Sequence, residues 1–190
     1  MMGAKYLTKA TNLAKHIISA VVQEGDTVID ATMGNGNDTL YLRKMVGNTG
    51  KVIAFDIQEK AIENTKKLLQ SFHMADAVEL IHDGHENMDL YVFQEVSAVM
   101  FNLGYLPKGD HHIVTKPDTT IIAIEKALSL LKRNGIITIA VYHGHEEGMI
   151  EKDQVLAYAT TLDQNQFHVL RLDFINQKNN PPFLLVIEKK

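Results

Sequence analysis

The chain has 190 residues, 45% of them apolar and 22% charged, with no cysteine and a formal net charge of −4. At roughly 100–200 residues per domain this is one domain over 1–190, long enough for a proper core, and the balance excludes a disordered tail, a collagen-like fibre and a disulfide scaffold. The missing cysteines exclude thiolate zinc sites and a cysteine nucleophile, the slight acidity argues against broad nonspecific nucleic-acid binding, and without an apolar run near ~20 residues or a signal-peptide core the sequence reads as cytoplasmic, with no membrane partner.

Apolar residues at Tyr6, Leu7, Ala10, Leu13, Ala14, Ile17, Ile18, Val21 and Val22 predict a helix over 5–23, the N-terminal helix (1–23) packed on the core. A short strand, 27–30, then breaks into glycine, and a helix follows over 38–45. Further strands are predicted at 51–55, 78–81 and 96–101, with a helix over 59–71. Pro117 near a first turn and Gly135 just past an end bound a helix over 117–133. The near-continuous apolar run 136–142 is a buried strand, 147–163 is helical, and 167–175 and 183–188 are the last two strands. Alternation up to residue 163 predicts a Rossmann-like, doubly wound α/β fold with a mostly parallel seven-stranded sheet. About ten residues between the last two strands leave no room for a crossover helix, so these should pair antiparallel or flank one strand.

In doubly wound folds ligands sit beyond the carboxyl ends of the strands, and the informative residues fall there. The first strand runs into Asp30-Ala31-Thr32-Met33-Gly34-Asn35-Gly36-Asn37-Asp38, where Gly34 and Gly36 permit tight turns and close approach of a ligand. Asp56, twenty residues after Gly36, ends the second strand, where an acid can accept hydrogen bonds from both hydroxyls of a ribose. Thr39 stands where a dinucleotide fingerprint would have its third glycine, and the leading acid Asp30 suits a cationic or amino-acid-bearing ligand better than a pyrophosphate. Asp83, followed by Gly84 and His85, ends the third strand and can accept from an adenine amine; alone it would also pass for a solvated turn acid.

The fourth strand ends in Met100-Phe101-Asn102-Leu103-Gly104-Tyr105-Leu106-Pro107, a loop similar to the Asn/Asp-Pro-Pro-Tyr/Phe motif of nitrogen methyltransferases, with Leu103-Gly104 in place of the proline pair. With this loop the chain resembles class I S-adenosylmethionine-dependent methyltransferases, whose sheet also ends in a reversed C-terminal hairpin strand. DATMGNGNDT, AFDIQ, MFNLGYLPKGDH and VYHGHEEG together resemble a small bacterial family of rRNA methylases associated with the tRNA wobble uridine. The resemblance covers about residues 10–188. It implies S-adenosyl-L-methionine as cofactor, the tRNA anticodon stem-loop as partner, and methylation of the primary amine of 5-aminomethyl-2-thiouridine. A homodimer is compatible with it. The cofactor would meet Asp30, Thr32, Gly34, Asn35, Gly36, Asn37, Asp38 and Thr39 of the first motif, Asp56, Ile57 and Gln58 of the second, then Asp83, Gly84, His85 and Asn102.

Methyl transfer from a sulfonium is an in-line displacement, so the amine must arrive neutral or lose its proton on the way. Asn102 can hold amine hydrogens, and Tyr105 offers a face for stacking a base. His143, His145 or bulk water can take the proton. Leu103, Gly104 and Tyr142 should line the acceptor pocket, while Lys108, His111, His112 and Lys116 could meet RNA phosphates, as could Lys5, Lys9 and Lys15, unless these are an ordinary solvated face. His143 and His145 have no third ligand at diagnostic spacing, so no metal is expected. Cysteine-dependent attack on uracil C6 is excluded. Other acceptors (rRNA, a small amine, a protein side chain), a nicotinamide oxidoreductase and a non-catalytic nucleoside-binding module are the competing readings.

Overall fold

The computed structural model describes residues 7–104, 114–144 and 146–190. Seven strands form one sheet in the order β3-β2-β1-β4-β5-β7-β6. They are β1 (Thr27–Asp30), β2 (Lys51–Phe55), β3 (Val78–Ile81), β4 (Val96–Leu103), β5 (Leu131–Val141), β6 (Phe167–Leu172) and β7 (Phe183–Lys189). The first five run parallel. The last connection is too short to cross over, so β7 turns back antiparallel between β5 and β6.

Among the described residues five α-helices cover the sheet: α1 (Ala10–Val21), α2 (Asn37–Val46), α3 (Glu59–Ser71), α4 (Pro117–Leu130) and α5 (Glu146–Thr161). The alternating side chains of each strand feed two cores. Ile29, Ile53, Val99, Phe101, Ile137, Ile139 and Leu185 pack toward α4 and α5 on one face. Val28, Val52, Ala98, Met100, Ala140 and Leu184 pack toward α1 and α2 on the other. Strands buried on both sides favour apolar residues on both faces, which explains the near-continuous run over 136–141 in β5. No helix among the described residues is long and apolar enough to cross a membrane.

Most boundaries agree with the sequence expectation to within one or two residues, and the larger differences have local causes. The first helix starts at Ala10 rather than residue 5, because Lys9 is extended (φ −150°, ψ 154°); residues 1–6 of the predicted helix lie outside the described residues. The helix placed over 117–133 ends at Leu130. Leu131 pairs with Val96, and the ladder resumes at Ile136 opposite Ala98 after a four-residue irregularity in which Asn134 takes φ +60°. Leu131 satisfies a helical and a strand pattern alike, and pairing with β4 decides between them. Gly135 therefore belongs to this bulge and caps no helix. The strand placed over 167–175 ends at Leu172. A 3₁₀ turn over His85–Leu90, which has no apolar period to announce it, follows β3.

Candidate cofactor and acceptor site

The strand order reverses between β1 and β4, which lie side by side while their following helices diverge. Ladder bonds continue past the end of β1 to both neighbours, from the Ala31 N–H to the Met100 carbonyl (2.9 Å) and from the Met33 N–H to the Phe55 carbonyl (2.9 Å). The chain opens here into a cavity of about 900 Å³ across the carboxyl ends of the first five strands.

One half of the cavity lies over β1, β2 and β3. Gly36 takes φ +78°, and a Cβ there would lie 2.8 Å from Thr65 Oγ1 and 3.0 Å from its Cα, so only glycine fits the start of α2. Thr65 in turn donates to the Gly34 carbonyl (3.2 Å). Asp56 Oδ2 accepts the Gly34 N–H (3.0 Å) and Oδ1 accepts the Gln58 N–H (2.9 Å). These bonds fix the carboxylate at the mouth of β2, and each oxygen keeps lone-pair capacity. Burial pushes the Asp56 pKa up, against the pull of the two N–H donors.

Asp83 Oδ1 accepts the Gly84 N–H (2.7 Å) and Asn87 Nδ2 (3.0 Å), and Oδ2 accepts the Tyr91 hydroxyl (2.8 Å). The bonds from Asn87 and Tyr91 hold its pKa low. Asp83 thus braces the 3₁₀ turn as well as lining the cavity. His85 is buried, and its Nδ1 meets the Ala31 carbonyl at 3.1 Å. A carbonyl only accepts, so Nδ1 carries the proton; burial lowers the pKa and keeps the ring neutral, with Nε2 as an acceptor.

Asp38 marks the middle of the site. It pairs with Lys15 (2.7 Å) and accepts Asn102 Nδ2 (2.8 Å), joining α1, α2 and β4. The Asn102 N–H donates to Thr32 Oγ1 (2.7 Å). Asp30 is fully buried beneath, accepting the Thr39 hydroxyl (2.6 Å) and the Thr32 N–H (3.3 Å). Burial first, then the Asp38 charge, raises its pKa to about 7, with Asp56 pushing the same way.

The other half lies over β4, β5 and the segment before β7. Leu103, Gly104, Thr115, Lys116, Tyr142, His143, Asn180 and Pro182 line it. Tyr142 bonds Thr11; burial and the Asp38 charge raise the pKa of its phenol. The His143 ring lies against buried Phe183 (centroids 5.6 Å apart).

The predicted residues Thr32, Gly34, Asn35, Asn37, Asp38, Asp56, Ile57, Gln58, Asp83, Gly84, His85 and Asn102 line one wall or another of this cavity. Asp30, Gly36 and Thr39 are buried behind its lining and shape it from below. Tyr105, Lys108, His111, His112 and His145 lie outside the described residues. Asn180 and Pro182 were not anticipated, since the segment before β7 has no motif to place it at the strand ends of β4 and β5. Lys9 and Lys15, read as RNA-facing or solvated lysines, line the cavity, and Lys15 is committed to Asp38.

A seven-stranded sheet with a reversed final hairpin, glycine loop, acid-tipped second strand and asparagine-tipped fourth strand defines the class I S-adenosylmethionine-dependent methyltransferases. Residues 52–188 match the family described as "Putative rRNA methylase", and the chain belongs to that family. It is 38% identical over 192 residues to the Arabidopsis thaliana "tRNA (mnm(5)s(2)U34)-methyltransferase, chloroplastic", covering 96% of this chain and 70% of that one. A Clostridium thermocellum crystal structure described as a "putative rRNA-methylase" is 52% identical, with a TM-score of 0.96 over 97% of this chain and 99% of that one. Streptococcus mutans SMU.1697c, solved in complex with SAH, is 41% identical, with a TM-score of 0.89 and the same coverage. The chain is an enzyme, and S-adenosyl-L-methionine is its cofactor. The donor set fits that cofactor: a carboxylate with free lone pairs at β2 suits ribose hydroxyls, and three carboxylates around β1 and β2 suit a ligand bearing an ammonium and a sulfonium.

Proposed function

We propose that this S-adenosyl-L-methionine-dependent RNA methyltransferase N-methylates the 5-aminomethyl group of 5-aminomethyl-2-thiouridine at the tRNA wobble position, giving the 5-methylaminomethyl form. The acceptor is supported by the similarity to the Arabidopsis tRNA enzyme across nearly the whole chain. The geometry supports nitrogen as the nucleophile, and the observation that carries it is the position of Asn102, between the two halves of the cavity with its amide nitrogen already bonded to Asp38. Its side-chain oxygen is the group left to accept an amine hydrogen.

When bound, S-adenosyl-L-methionine supplies an electrophilic methyl on sulfur and leaves as the neutral thioether. Asp56 would hold the ribose hydroxyls. Asp83 Oδ2 would accept from the adenine amine beside Gly84 and His85, and Asp38, with Asp30 beneath it, would meet the amino-acid end. Asn102 Oδ1 accepts a hydrogen of the incoming amine and turns its lone pair toward the methyl, so positioning supplies much of the rate. The proton that the methylated nitrogen must lose would pass to His143, His145 or water. Tyr105 stacks the base, and Lys108, His111, His112 and Lys116 meet phosphates of the anticodon stem-loop. The compartment on this reading is the cytoplasm.

The test is to digest tRNA from cells lacking the protein. A wobble nucleoside one methyl short, restored by the purified protein with cofactor, is the expected result. An unchanged nucleoside profile, or transfer to rRNA or a free amine instead, would overturn the acceptor.

A further inference from the structure

We infer that Glu151 is a positioning residue that sets the acceptor side of the site by clasping the base of the loop after β4. The inference rests on the proposed acceptor reading and deepens it. Glu151 lies on α5 and is 2% exposed, an unusual place for a carboxylate. Its Oε2 accepts the Thr115 hydroxyl (2.7 Å) and its Oε1 accepts the Thr120 hydroxyl (2.7 Å). Thr115 Oγ1 in turn accepts the Gly104 N–H (2.9 Å), and the Thr115 N–H donates to the Gly104 carbonyl (3.0 Å).

The chain leaves β4 at Gly104 and returns at Thr115, so these paired bonds close the loop at its neck. Gly104 stands two residues after Asn102 and takes φ +141°, a conformation open to glycine. A lone hydroxyl could rotate away from the Gly104 amide. With Glu151 accepting its proton, the Thr115 oxygen must present lone pairs, and the second oxygen of Glu151 is held by Thr120 on α4. The order of bonds is therefore directional, from the Gly104 amide to the Thr115 hydroxyl to the Glu151 carboxylate. Among the described residues, the bonds joining Gly104, Thr115, Glu151 and Thr120 do not run through Asp56, Asp83 or His85. Glu151 therefore tunes where Asn102, Leu103 and Gly104 meet the acceptor, while the cofactor half stays fixed.

Thr115→Val keeps the shape and removes the hydroxyl, and Thr115→Ser keeps the hydroxyl. The expected result is a tenfold or greater loss of kcat/KM for undermethylated tRNA in Thr115→Val, with cofactor Kd by calorimetry within about twofold, and recovery to within about threefold in Thr115→Ser. Glu151→Gln should fall with Thr115→Val. Wild-type turnover in Thr115→Val, or equal loss of melting temperature and cofactor affinity in Thr115→Val and Thr115→Ser, would overturn the clasp. Wild-type protein that is silent on tRNA would overturn the acceptor reading instead. The clasp is then judged on amide exchange at Gly104, which must speed up in Thr115→Val and stay slow in Thr115→Ser; equal exchange in the two would overturn it.

Discussion

Asn102 gives its side-chain amide hydrogen to Asp38 at 2.8 Å, across 64 residues of sequence. The contact settles which end of the amide points away from Asp38, because the Asp38 carboxyl, also paired with Lys15, takes the nitrogen.

Asn102→Ala should lower kcat on tRNA by at least about tenfold while cofactor affinity changes little, since the amine loses its acceptor. Asn102→Asp should be worse for both. It replaces the donated hydrogen with a second carboxylate facing Asp38, and like charges at that range repel. Single-turnover kinetics and calorimetry on the two variants check this; an Asn102→Asp protein as active as wild type would contradict the orientation.

Asp56→Ala should weaken cofactor binding. On the proposed ribose role, two bonds to a charged acceptor would be lost, each worth about 1.5–3 kcal/mol, so Kd should rise by at least about tenfold per bond. The brace on the Gly34 N–H goes as well. Calorimetry with S-adenosylhomocysteine reads the effect, and an unchanged Kd would remove Asp56 from the ribose.

Asp30 predicts the sign of a pH dependence. Its folded pKa of about 7 lies above the ordinary 3.8, so the folded chain holds the extra proton between those values. The Asp30 contribution to stability should fall as pH rises through that window and level off above it; Asp56, also raised, adds the same sign, and His85, lowered by burial, adds the opposite one. Asp30→Asn should flatten the slope of melting temperature between about pH 4 and 7. A cationic ligand above Asp30 should also drive off its proton near pH 7. Binding enthalpies that do not vary with the ionisation enthalpy of the buffer would refute that.

Gly36→Ala should cost about 1–3 kcal/mol of stability and more in cofactor affinity. The new Cβ would sit at φ +78° and press on Thr65, whose hydroxyl holds the Gly34 carbonyl. Thermal melts with and without cofactor measure both effects; a melting point within a degree of wild type would show that the turn can relax.

Much of the sheet was legible because strand and helix periods differ and because strands buried on both sides favour apolar residues on both faces. The helix end at Leu130 was not, because Leu131 suits either structure until Val96 pairs with it. Asp83 shows the same limit in the site. Its place at a strand tip points to a ligand, and only the fold reveals that Asn87 and Tyr91 also lean on it.

The sequence by itself determined the order of the elements, the chemistry at each strand tip and the family resemblance, since these depend on residue type and near-neighbour spacing. The tertiary structure alone decided which distant groups share a proton or a charge: Lys15 with Asp38, Asn102 with Asp38, and Thr115 with Glu151. Such pairs carry no periodic signal. They arise where parallel strands bring their carboxyl ends to one edge and side chains from separate helices and strands meet there.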